Sequence, residues 1–169
     1  IGRQPGGVHP PRSSVAMPTP AKLVAALLMA AVGWLTAEAI VRYGLPEGYS
    51  VGWFREILSG MALVLGWKMI GRQATGVAGR GDRIVNGLTM GLACALALAI
   101  LAIFLHAFYV MIEESMGLAY DSPGKAFTAM MGFVWQDMQT ITNLPVLAVL
   151  FGGGALVGLT AGITGRLWR

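Results

Sequence analysis

The chain is 169 residues long, 56% of them hydrophobic and only 12% charged, with a formal net charge of +4. Soluble domains carry roughly 25% charged residues, so a water-soluble globule is excluded, and the apolar residues gather into runs near the ~20 that a helix needs to cross hydrocarbon. A single cysteine, Cys94, set within an apolar run, rules out an intrachain disulfide and any cysteine-based metal or redox motif.

Residues 1–16, rich in Pro, Gly and Ser and without apolar periodicity, read as a disordered extension. Met17 opens MPTPAKLVAALL and looks like a natural start, so the preceding stretch is expected to be an appendage to a membrane domain over 17–169. The first span is expected at 21–40. Ala37-Glu38-Ala39 has the small-x-small form of a signal-peptidase site, but the apolar run is longer than a signal core, which predicts a retained helix. GLPEGYS (44–50) reads as a turn on the far side.

The second span, 51–70, is the weakest, because Arg55 and Glu56 lie inside it and its purely apolar stretch, 57–67, is short for a crossing. Trp53 and Trp67 stand near its ends, where interfacial aromatics sit. A polar, glycine-rich loop over 71–83 leads to the third span, 84–112, which at 1.5 Å per residue is roughly 43 Å and must tilt or project. Ser122-Pro123 is a cap followed by a first helical position. Phe127, Met130, Met131, Val134, Met138 and Ile141 then recur at three- and four-residue steps, predicting an amphipathic surface helix over 123–142 with Lys125, Gln136 and Gln139 towards water. The fourth span is expected at 145–165. The fold class is thus all-α: an integral membrane four-helix bundle with an amphipathic surface helix between the third and fourth spans.

Charge sets the orientation. Arg3, Arg12, Lys22, Lys68, Arg72, Arg80, Arg83, Arg166 and Arg169, nine of the twelve basic residues, fall on one side with Asp82. The other side holds Arg42, Arg55 and Lys125 beside Glu38, Glu47, Glu56, Glu113, Glu114, Asp121 and Asp137. The positive-inside rule predicts a multi-pass protein of a bacterial inner membrane with both termini cytoplasmic. If the second span did not cross, the basic loop would face outwards.

Small residues recur at helical spacing. Gly154, Gly158 and Gly162 form two overlapping GxxxG repeats, and Gly87, Gly91, Ala95, Ala99 and Ala102 form a matching stripe. Such stripes let helix backbones approach in lipid, within a tight bundle or through a homo-oligomer or a membrane-protein partner. His106 continues the stripe near the outer edge, at a depth similar to Glu38, Arg55 and Glu56. Ionisable groups there pair or line a polar cavity, so a Glu38–Arg55 or His106–Glu38 contact is expected, either as a structural staple or as a proton- or ion-handling site.

Met111, Met116, Met130, Met131 and Met138 near His106 invite a soft-metal reading, but no tight ligand spacing occurs, and methionine is an ordinary filler of apolar surface. No metal site or cofactor is therefore expected. The segment 76–83 lacks the Lys-[Ser/Thr] ending of a phosphate loop. The basic residues suit lipid headgroups, not nucleic acid, and no motif context points to an enzyme.

Met17–Leu27, Gly33-Trp34 with Glu38, Leu45–Gly48, Gly66-Trp67 with Gly71-Arg72, and Asn86-Gly87-Leu88-Thr89 resemble, in order, the TrgA family of small bacterial membrane proteins associated with tellurite resistance. Residues 1–16 fall outside the resemblance. It implies a resistance phenotype and supplies no catalytic residue. Reducing tellurite would require thiols or a cofactor, and one buried cysteine is no dithiol couple. The expected function is therefore a non-enzymatic contribution to tellurite or envelope-stress resistance, as an accessory or assembly component of another membrane complex. A small transporter or channel using Glu38, Arg55 and His106 is the first alternative, and a Met/His soft-metal handling protein the second.

Overall fold

The computed structural model describes residues 20–44, 52–70 and 82–167, and among them the chain is all-helical. Helix α1 spans Pro20–Tyr43, α2 spans Phe54–Leu65 and continues as a wider π turn over Gly66–Ile70, α3 spans Asp82–Met116, α4 spans Pro123–Ile141, and α5 spans Leu144–Leu167. Three of them are long and apolar enough to cross a membrane: Lys22–Tyr43, Ile84–Met116 and Leu144–Thr164. The expected second span falls short of that length, because its α-helix begins only at Phe54 and Val51 lies outside the described residues. The expected extension at 1–16 and the basic loop at 71–81 also lie outside them.

Neighbouring helices run antiparallel. Ser59 on α2 donates to the Ala30 carbonyl of α1 at 3.0 Å, and Gly66 faces Met29 and Ala25, so α2 returns along α1. The buried residues of α2 and its π turn, Leu58, Ala62, Gly66 and Ile70, recur at every fourth position. Four residues of ordinary helix overshoot a full turn by about 40°. The π turn removes part of that drift, which keeps Ile70 buried while Lys68 is exposed.

α3 and α5 meet through glycine. A Cβ on Gly87 would lie 2.5 Å from the Gly158 carbonyl oxygen, and one on Gly91 would overlap the carbonyl of Gly154. On the α1 side of α5, Gly153 faces Val32. Met29, Ile70, Cys94, Leu98, Val146 and Leu150 are the largest fully buried side chains of the core shared by α1, the π turn, α3 and α5.

The pairing of 87 with 158 and 91 with 154 sets Leu144 level with Leu101. About fifteen residues of α3, roughly 22 Å of helix, therefore run on past the start of α5. α4 doubles back along this overhang. It starts in extended backbone at Ser122 (φ −154°, ψ 151°) with Pro123 in its first turn. It ends beside the end of α1, where a Cβ on Gly44 would lie 2.6 Å from Thr140 Cγ2 and Asn143 donates to the Tyr43 carbonyl at 3.5 Å.

Candidate functional site

The polar side chains gather at the end of the bundle where α1 gives way to α2 and α4 to α5. Glu38 lies five residues before the end of α1. Its two oxygens are used separately: Oε1 accepts from Arg42 Nε at 3.0 Å, one turn on, and Oε2 forms an ion pair with Arg55 Nη2 at 2.8 Å. Arg55 reaches it because it occupies the first turn of α2, which starts directly across from the last turns of α1. Its Nε is shielded from solvent and has no acceptor among the described residues. Glu56, the next residue, sits about 100° further round the helix and is exposed. The structure therefore brings Glu38 and Arg55 into contact and leaves Glu56 pointing away from them.

His106 meets a different partner from the one expected. Its Nδ1 lies 2.7 Å from Asp137 Oδ2 on α4, so the contact joins the α3 overhang to the returning helix rather than to Glu38. The Phe54 ring approaches the imidazole edge-on, with centroids 6.4 Å apart and planes at 69°. Phe54 precedes Arg55 in the chain, so one aromatic side chain connects the two ion-pair regions. Asp137 is the residue that sequence reasoning overlooked. Its signal was present: with Met130, Val134 and Ile141 it falls on the three- and four-residue stripe of α4 that turns towards the protein, and a carboxylate on such a stripe calls for a partner.

The packing residues are placed as follows. Gly87 and Gly91 of α3 lie against Gly158 and Gly154 of α5, and the Gly162 Cα is 3.6 Å from where a Gly87 Cβ would stand. This glycine face is therefore occupied inside the chain. The methionines near His106 diverge: Met130 is buried between α3 and α4, whereas Met131 and Met138 are exposed on another side of α4. Among the described residues no group of three or more His, Cys, Asp or Glu is arranged to hold a metal ion. Cys94 is a buried free thiol in the core.

Beyond the overhang a second polar contact closes the α3–α4 connection. Tyr120 donates its hydroxyl to Glu114, and that bond pushes the phenol pKa up to about 12, since ionisation would set a phenolate beside a carboxylate. Lys125 pairs with Asp121 at 2.6 Å across the start of α4. Chemically, the arrangement offers ion pairs that fasten helices at one end of a tightly packed bundle.

No family model, curated protein or solved structure matches this chain.

Proposed function

We propose that this is a four-pass inner-membrane protein with cytoplasmic termini that acts without catalysis, as an accessory or assembly component of another membrane complex. The observation that carries the reading is the division of its surfaces. Glycine-tight contacts join α3 to α5, while Leu92, Leu96, Ile100, Phe104 and Phe108 of α3 stay exposed, as lipid-facing side chains do. The antiparallel course of α2 along α1, with its basic Lys68 at the far end from Arg55, supports a second crossing despite its short length. α4 supplies an amphipathic helix that runs back along α3: Phe127, Met131, Trp135 and Met138 are exposed on one side towards lipid, while Lys125, Gln136 and Gln139 are exposed on another towards water. The role in tellurite or envelope-stress resistance rests on the TrgA resemblance alone.

Affinity purification of the full chain in mild detergent tests the accessory role. Co-purification of a defined set of membrane proteins is the expected result. A lone protomer, together with an unchanged membrane proteome after deletion, refutes it. Reporter fusions test the topology: insertions within 71–81 report a cytoplasmic position if α2 crosses and a periplasmic one if it does not.

A transport role is the second reading, favoured by Glu38–Arg55 and His106–Asp137, two ionisable pairs within or against long apolar helices. Substrate flux in proteoliposomes that is abolished by Glu38→Gln or Asp137→Asn would establish it. Soft-metal handling is checked by elemental analysis of the purified protein.

A further inference from the structure

At the end of the bundle where α1 meets α2, two guanidiniums share one carboxylate. Arg42 commits only its Nε to Glu38, at 3.0 Å, and Arg55 only its Nη2, at 2.8 Å. A guanidinium carries five N–H donors in a planar fork, so among the described residues most of the donor capacity of both arginines is unspent, whereas both oxygens of Glu38 are engaged. Arg55 Nε is shut away from solvent without an acceptor among the described residues, and a buried donor left unpaired is costly. The three side chains together carry one excess positive charge. The rings beside them, Tyr43 and Trp53, are 61% and 78% exposed, and such amphipathic aromatics sit at headgroup depth in a bilayer. Only three of the twelve basic residues lie on this side, and two of them are here.

We propose that Arg42 and Arg55, held side by side by Glu38, form a binding site for a phosphate-class oxyanion, supplied by the phosphodiester of a lipid headgroup or by a free anion. Arginine forks match phosphate oxygens bidentately. Glu38 acts as the clamp that fixes the spacing of the two forks, and the bound anion balances the excess charge. The lipid source rests on the membrane reading above; the free-anion source does not.

The test uses the full chain in mild detergent, titrated with short-chain phosphatidylglycerol, with a diacylglycerol of equal chain length, and with inorganic phosphate, each followed by native mass spectrometry. The wild type binds phosphatidylglycerol and not diacylglycerol; Arg42→Gln weakens this about tenfold, the loss of one charge-assisted contact, and adding Arg55→Gln removes it. Lys125→Gln, which alters a basic residue on the same side outside the cluster, leaves binding unchanged. Inorganic phosphate that displaces the lipid identifies a free-oxyanion site, and phosphate that fails to compete identifies a headgroup site. Equal retention of diacylglycerol, or binding by Arg42→Gln within twofold of wild type, overturns the proposal. Arg42 is largely exposed, so its variant decides the matter even if Arg55→Gln does not fold. Reporter fusions that inverted the topology would leave this titration untouched, so failure of the membrane reading and failure of the site remain distinct.

Discussion

Gly91→Ala is the substitution that bears most directly on the packing of the bundle. The new Cβ would overlap the Gly154 carbonyl and stand 3.0 Å from the Gly158 Cα, against an ordinary contact of 3.4–4 Å. Both obstacles are backbone, so no side chain can rotate away and the helices must separate. A gap of about 0.5–1 Å forfeits a quarter to a half of each dispersion contact along the seam. Overpacking of this kind costs about 1–3 kcal/mol, partly offset by the ~1 kcal/mol that alanine gains over glycine inside a helix. The control is Gly152→Ala on α5, where a Cβ meets nothing within 4 Å. There the helix propensity acts alone and the variant should be as stable as wild type or more so. Thermal unfolding in one detergent, followed by circular dichroism, measures both. Equal stability of the two variants would show that α3 and α5 do not meet through Gly91, and the glycine seam would have to be abandoned.

Three further outcomes follow from local geometry. Leu118 holds a left-handed conformation (φ 59°) just after α3, where Ala119 N–H donates to Glu114 and Leu118 N–H to Ser115, the paired bonds of a Schellman cap; Leu118→Gly should raise stability by about 1 kcal/mol by relieving a strain of roughly 1–2 kcal/mol, read as a higher melting temperature. Asp137→Ala removes the tie between α4 and His106, so amides of α4 should exchange with deuterium faster while those of α5 keep their protection. Tyr120, whose folded pKa stands at about 12 against an ordinary 10, contributes stability in full below pH 10 and loses it as the pH rises through 12. An absorbance titration at the phenolate band should lose its highest-pH step in Tyr120→Phe.

The helices themselves were legible because lipid-length apolar runs have few other fates. Expected bounds of 21–40, 84–112 and 145–165 became helices over Pro20–Tyr43, Asp82–Met116 and Leu144–Leu167. The third helix ran past its apolar pattern because Glu113, Glu114 and Ser115 are exposed and cost the helix nothing. The π turn was not legible. A burial period of four differs from 3.6 by too little to read over thirteen residues, and only the closeness of Gly66 to Met29 and Ala25 makes it necessary. Glycine spacing predicted that backbones approach but not which ones, since a stripe does not name its partner. The choice of Gly87 and Gly91 for Gly158 and Gly154 emerges only in three dimensions.

The same limit explains His106. The small-residue stripe fixes its side of α3, but depth along the chain points to Glu38 as a neighbour only if every helix ends at the same level. α3 is longer than α1 by eleven residues, 35 against 24, and α4 folds back along the surplus. The carboxylate nearest His106 is therefore the one on the returning helix. The two ion pairs consequently have separate structural duties. Glu38–Arg55 fastens α1 to α2 at the mouth of the bundle, and His106–Asp137 fastens the α3–α4 hairpin above it, with Phe54 lodged between them. A change at one pair should therefore reach the other only through Phe54, so Phe54→Ala should uncouple them. Asp137→Ala would then no longer alter the exchange of α2 amides, whereas in the presence of Phe54 it does; an unchanged response of α2 in both backgrounds would show that the aromatic contact transmits nothing.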